Sequence, residues 1–273
     1  MSAVPPRSTS LSEAPFYVGY LPVPKPLVAF LWLAAPIALS IVAIVAIAAA
    51  RSQRDPGGAV WSDAKAREFH GVFIARPYPM LWVQPTESET SISVGMRRDA
   101  TSSPKLHLLV EMGKHAGREG LAAMDGKPVV ASGWTLERDG RWMIELEPDA
   151  KALALEASPS SIPLIPAVVP KGRITLQGEI VDSKCYLGAM KPGEGKTHKA
   201  CATLCIRGGI PPVLVTRDAN GSRVYYLLID PGGGPLDSGG WPFIGDPVEV
   251  TGEFELLGEC RLLKVSPRDI SRR

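Results

Sequence analysis

The sequence predicts a mainly β protein: an N-terminal transmembrane helix followed by two tandem OB-like small β-barrels, the second carrying a short cysteine-bearing helix. Three observations predict this. Leu27 to Ala50 is an uninterrupted apolar run without a charge. Pro (26) and Gly (27) are frequent, which favours many turns and short strands over long helices. Residues 126–148 also align without a gap on residues 245–267, with glycines at Gly126/Gly245 and Gly133/Gly252 and prolines at Pro128/Pro247 and Pro148/Pro267.

The apolar run is long enough to cross a bilayer, for which about 20 residues suffice. Pro36 and Ser40 are tolerable inside a membrane helix, and Lys25 and Arg51 bracket it. Ala46-Ile47-Ala48 resembles a signal-peptide cleavage site, but the apolar stretch exceeds the about 7–15 residues usual for such peptides, so an uncleaved anchor is expected. Residues 1–26, rich in Pro and carrying the aromatic positions Phe16, Tyr17 and Tyr20, read as a cytoplasmic tail. The count of positive charges favours a cytoplasmic C-terminal part, but long domains translocate largely regardless of charge. Four cysteines fit an oxidising space. The expected location is therefore the bacterial inner membrane, with the globular part in the periplasm.

Each aligned segment reads as a strand bent at its glycine, a hairpin turn and a second strand. Upstream, residues 69–75 parallel residues 176–182 as a first strand, with Gly71 and Gly178 where a barrel strand must bend. The expected organisation is a first barrel over residues 63–148, a Pro-rich linker over 149–170 and a second barrel over 171–273. In the second barrel, residues 212–229 read as a hairpin with Asn220-Gly221 at a tight turn. The net charge of +2 and the near-neutral halves argue against nucleic acid as a partner.

Three of the four cysteines and one of the four histidines fall within residues 185–205. Thr197 as N-cap and Gly208-Gly209 as a stop predict a helix from about His198 to Arg207, with His198, Cys201 and Cys205 on one face. Cys185 ends the preceding strand, and Cys260 opens the last one. Three chemistries stay open. Two disulfides among Cys185, Cys201, Cys205 and Cys260 suit an even count in an oxidising space. A Cys₃His set of Cys185, His198, Cys201 and Cys205 suits zinc or another soft-ligand metal, although the spacing lacks the common C-x-x-C pair. A redox thiol at Cys201 suits the first turn of a helix, again without a C-x-x-C pair. A basic rim of Lys184, Lys191, Lys196, Lys199 and Arg207 is the expected contact for an acidic partner or anion. His70, His107 and His115 are scattered, and neither a nucleophile–base–acid set nor a phosphate loop is legible.

The run Asp182-Ser-x-Cys185, then His198-x-x-Cys201-x-x-x-Cys205-x-x-Gly208-Gly209, with the closing Val248-x-Val250-x-Gly252, resembles a bacterial family of small exported OB-like domains. The resemblance covers about residues 171–267 and implies export and a barrel, not an activity. The first copy lacks every cysteine, with Tyr78 and Arg141 standing where Cys185 and Cys260 would be. The function expected from all this is a membrane-anchored, periplasm-facing accessory protein without catalytic residues and without a required cofactor, supporting a membrane-bound or periplasmic redox complex. The alternative is a metal-binding or electron-transfer subunit using the Cys₃His set.

Overall fold

The computed structural model describes residues 23–52, 58–83, 104–116, 120–159 and 162–273. The aromatic tail positions Phe16, Tyr17 and Tyr20 lie outside the described residues. The chain divides into two units, Met1–Asp55 and Pro56–Arg273.

The first unit holds α1 (Lys25–Ser52), 28 residues with Pro36 inside and Arg51 in the last turn. At 1.5 Å per residue it is about 42 Å long, more than the hydrocarbon thickness of a bilayer. Its most apolar window has a mean hydropathy of 2.6 and none of it is buried. The helix is apolar on all sides, and it is long and apolar enough to cross a membrane.

The second unit contains two closed five-stranded barrels. The first is built from β1 (Val60–Ile74), β2 (Met80–Val83), β3 (Lys105–Val110), β4 (Pro128–Arg138) and β5 (Arg141–Leu146), with β6 (Leu153–Leu155) added to the edge of β4. The strand order β1-β2-β3-β5-β4 closes through β1 and β4, and β3–β5 is the parallel pair. The second barrel repeats this with β7 (Val168–Asp182), β8 (Pro212–Arg217), β9 (Arg223–Ile229), β10 (Pro247–Leu257) and β11 (Cys260–Lys264), plus an added β12 (Ile270–Arg272). Here β9–β11 is parallel and β7–β10 closes the ring.

The internal repeat extends to single residues. A Cβ on Gly133 would lie 2.2 Å from the Glu145 carbonyl oxygen, and one on Gly252 would lie 2.4 Å from that of Lys264. Both strands bend sharply where they pass from one partner to the next, and only glycine lets the facing carbonyl come this near. Gly71 and Gly178 meet the carbonyls of Trp82 and Val215 in the same way.

Each barrel has its own apolar interior: Phe73, Leu81, Leu109, Val129, Ile144 and Leu146 in the first; Ile180, Leu214, Leu228, Val248, Val250 and Leu263 in the second. Two further clusters are shared. Met80, Trp82 and Leu106 pack with Tyr186, Leu227 and Leu262, and Val110, Leu136 and Met143 pack with Cys185, Cys205 and Ile210. The barrels therefore meet over a continuous apolar seam. Polar contacts reinforce it. Tyr78 donates to the Leu228 carbonyl at 2.8 Å and accepts from the Leu236 N–H at 2.9 Å. The guanidinium of Arg138 donates to the Tyr186 carbonyl at 2.8 Å and lies 4.1 Å above the Tyr186 ring.

Three local expectations change. The linker over 149–170 is shorter than its prolines suggest: Leu153 is buried in the first core and pairs with Ala131, and β7 already runs from Val168. The second-barrel hairpin turns through Asp218–Gly221, with the Gly221 N–H donating to the Asp218 carbonyl. The Asp218 side chain collects the N–H groups of Asn220 and Ser222, so Gly221 (φ 79°) closes the turn instead of sharing its centre with Asn220. The histidines also differ in environment. His70 is exposed and bonds Glu156 at 3.0 Å, whereas His107 is 1% exposed between Phe69 and Trp142.

Candidate metal centre

Strand β7 ends at Asp182, and the chain then makes a wide turn over Cys185–Ala189. The Asp182 carboxylate is fully buried. One oxygen accepts the Cys185 N–H at 2.8 Å, and the other bonds His198 Nε2 at 2.9 Å. A buried carboxylate requires such partners, and the pair fixes where Cys185 begins its turn.

Helix α2 (Lys199–Arg207) supplies the other two thiols. His198 stands at its N-cap without a side-chain capping bond, so Thr197 is not the cap; the imidazole is turned inward to Asp182 instead. Cys201 and Cys205 are four residues apart and lie on the same helix face. The sulfurs of Cys185, Cys201 and Cys205 all lie within 4.8 Å of one another. Cys185 and Cys205 are buried, and Cys201 is half-buried.

The first barrel reaches into this cluster. Lys114 Nζ donates to Cys201 Sγ at 2.8 Å and to Cys205 Sγ at 3.5 Å. The Gly208-Gly209 pair explains how. A Cβ on Gly208 would lie 1.7 Å from the Lys114 carbonyl oxygen, and one on Gly209 would lie 2.6 Å from the Ala116 Cβ. Two glycines thus let the loop over residues 111–116 lie against the end of α2, where the Ala116 N–H donates to the Gly208 carbonyl at 2.9 Å. Lys184 holds the same loop from below: its ammonium donates to the carbonyls of Glu111 (2.7 Å) and Gly113 (2.8 Å) and to Glu145 Oε1 (2.7 Å).

The electrostatics of the thiols follow from these contacts. The Cys205 thiol is pulled below its ordinary range by the hydrogen bond from Cys185, helped by the Lys114 ammonium and opposed by burial. Cys185 moves up, because it is the donor in that bond and is buried near the Asp182 carboxylate. Lys114 is held in its charged form by its bond to Cys201. The arrangement thus favours thiolate at Cys205 more than at Cys185, with the Cys185 thiol and the Lys114 ammonium as its donors.

The structure redistributes the residues expected from sequence. Cys185, Cys201 and Cys205 come together, and Cys260 does not join them. It lines a cavity of about 60 Å³ at the seam with Trp142, Tyr186 and Tyr225, and burial pushes its thiol up to about 12. All four cysteines are free, and no two sulfurs lie at bonding distance, so the two-disulfide expectation is overturned. With Cys260 withdrawn to the cavity, the remaining three cannot pair evenly. The Cys₃His expectation also changes. His198 groups with Asp182 and Cys185 within 4.8 Å but does not belong to the three-thiol set.

Of the expected basic rim, Lys184 is buried and serves as the strut just described, so it cannot meet a partner. Lys199 pairs with Asp246 at 2.6 Å, and Arg207 lies 5.3 Å above the Trp241 ring. Lys191 and Lys196 are exposed. Sequence reasoning missed Lys114, Asp182 and Glu145 as members of the site. Only Asp182 left a local signal, a carboxylate three residues before Cys185 where it can take up that residue's free N–H. No family model, curated protein or solved structure matches this chain.

Proposed function

We propose that this chain is a membrane-anchored accessory protein that binds a thiophilic metal ion through Cys185, Cys201 and Cys205, in support of a membrane-bound or periplasmic redox complex. The observation that carries the reading is the mutual approach of three unbonded thiols, one of which is pulled below its ordinary pKa range. Thiolate is the form that ligates, and soft ions favour sulfur donors. The helix Lys25–Ser52 supports attachment to a bilayer. Export of the barrels to an oxidising space is part of the proposal, since three thiols kept reduced there need an occupant or a reductant.

The test is metal analysis of the full-length protein, purified in mild detergent without oxygen. One equivalent of a thiophilic ion is expected, lost on Cys185→Ser, Cys201→Ser or Cys205→Ser and kept on Cys260→Ser. A protein that carries no ion and takes up neither copper nor zinc on titration overturns the reading. The partner-facing part rests on Lys191 and Lys196, which stand exposed on the loop after Met190. Co-purification from membranes that survives Lys191→Glu with Lys196→Glu removes that part alone.

A further inference from the structure

We infer that the ion held by the three thiols is a monovalent one, cuprous copper, in a three-coordinate sulfur site, and that Lys114 of the first barrel is the positioning residue that supplies its countercharge. This rests on the metal-binding reading above and deepens it.

The first argument is geometric. An ion about 2.3 Å from each of three sulfurs sits at the centre of a triangle with edges of about 4.0 Å. The three sulfurs already lie within 4.8 Å of one another, so the helix and the turn need close by less than a side-chain rotation to reach it. The second argument is that the described residues group no fourth donor with all three sulfurs. Structural zinc takes four ligands in a tetrahedron. Asp182 and His198 lie within 4.8 Å of the Cys185 sulfur, but they face each other at 2.9 Å and do not group with Cys201 and Cys205. The ammonium of Lys114 lies on Cys201 and Cys205 instead, and an ammonium has no lone pair with which to ligate. A set of three soft donors, with no fourth grouped on all three sulfurs among the described residues, is the environment that suits cuprous copper.

The third argument is charge. Three thiolates around a monovalent ion leave a charge of minus two, and around a divalent ion minus one. The former needs a counter-ion more, and one is in place: the loop carrying Lys114 is held by Lys184 and by Gly208, so the ammonium is fixed before any ion arrives.

The experiment is an oxygen-free titration of the full-length protein in detergent, with cuprous ion set against a coloured cuprous chelator and zinc run in parallel. One cuprous ion per chain, displacing bound zinc, with three sulfur neighbours by X-ray absorption, is the expected result. Lys114→Gln should weaken cuprous binding about tenfold, the loss usual for a partner outside the ligand set, and Lys114→Arg should restore most of it. Zinc bound in preference, with four ligands, overturns the inference and leaves the metal-binding reading standing. Failure to bind either ion removes both. Unchanged cuprous affinity in Lys114→Gln overturns the role given to Lys114.

Discussion

His107 makes the stability of the first barrel sensitive to acid, and the size of the effect can be worked from its surroundings. Its ring is 1% exposed, tilted against Phe69 at 6.0 Å and Trp142 at 5.8 Å, with Nε2 unpartnered. Burial lowers its pKa from 6.5 to about 4; the Lys105 carbonyl at Nδ1 offsets part of this, and the charges of Lys105 and Arg67 add to it. The folded chain keeps the imidazole neutral while the unfolded chain takes up a proton below 6.5. Stability is therefore complete above that pH and is lost as pH falls toward about 4. The full window, about 2.5 units at about 1.4 kcal/mol each, is worth roughly 3 kcal/mol, of which about 2 kcal/mol falls between about pH 7.5 and about pH 5. Urea unfolding followed by Trp fluorescence, on the full-length protein and on His107→Leu at both pH values, isolates the term. The original chain should lose about 2 kcal/mol more than the variant on acidification. Equal losses in the two proteins would refute the account, because the carboxylates they share titrate alike.

Lys184→Met should destabilise the fold by about 3–5 kcal/mol, because it strands the buried Glu145 carboxylate, and a second change, Glu145→Leu, should recover most of that in denaturant melts. Gly208→Ala should drive the Lys114 loop off the helix end and cost about 1–3 kcal/mol of stability, and metal affinity should fall with it; a variant that binds as the parent does would contradict the proposed role of the loop. Mass mapping after brief alkylation of the metal-free protein should find Cys201 modified faster than Cys260, whose thiol burial pushes up to about 12 and so keeps protonated; comparable rates would contradict that assignment.

The repeat was legible because barrel closure imposes the same bend at the same place. Gly133 and Gly252 occupy the same step of the same strand, and a side chain at either would collide with a carbonyl. The anchor helix was legible from length and composition alone. The thiol centre was only half legible. Helical spacing brought Cys201 and Cys205 together, but no local pattern ties them to Lys114 in the other barrel. That link depends on how the two barrels dock. Parity of cysteines misled: Cys260 opens β11 just as Arg141 opens β5, which sets it at the seam and away from the others. Lys184 misled for a related reason. A lysine beside a loop reads as surface, and only the carbonyls of residues 111 and 113, with the carboxylate of Glu145, make its burial tolerable.

Duplication has led here to a division of labour. The copy without cysteine lends its sister a single amine, delivered on a loop that the sister itself grips. Neither half is then a self-sufficient module: a foreign barrel of identical outline grafted in front of β7 would let the distal half fold but leave its thiols without their cation. A change that shifts the seam therefore also shifts the amine against the sulfurs, so neither half can be altered there without the other feeling it.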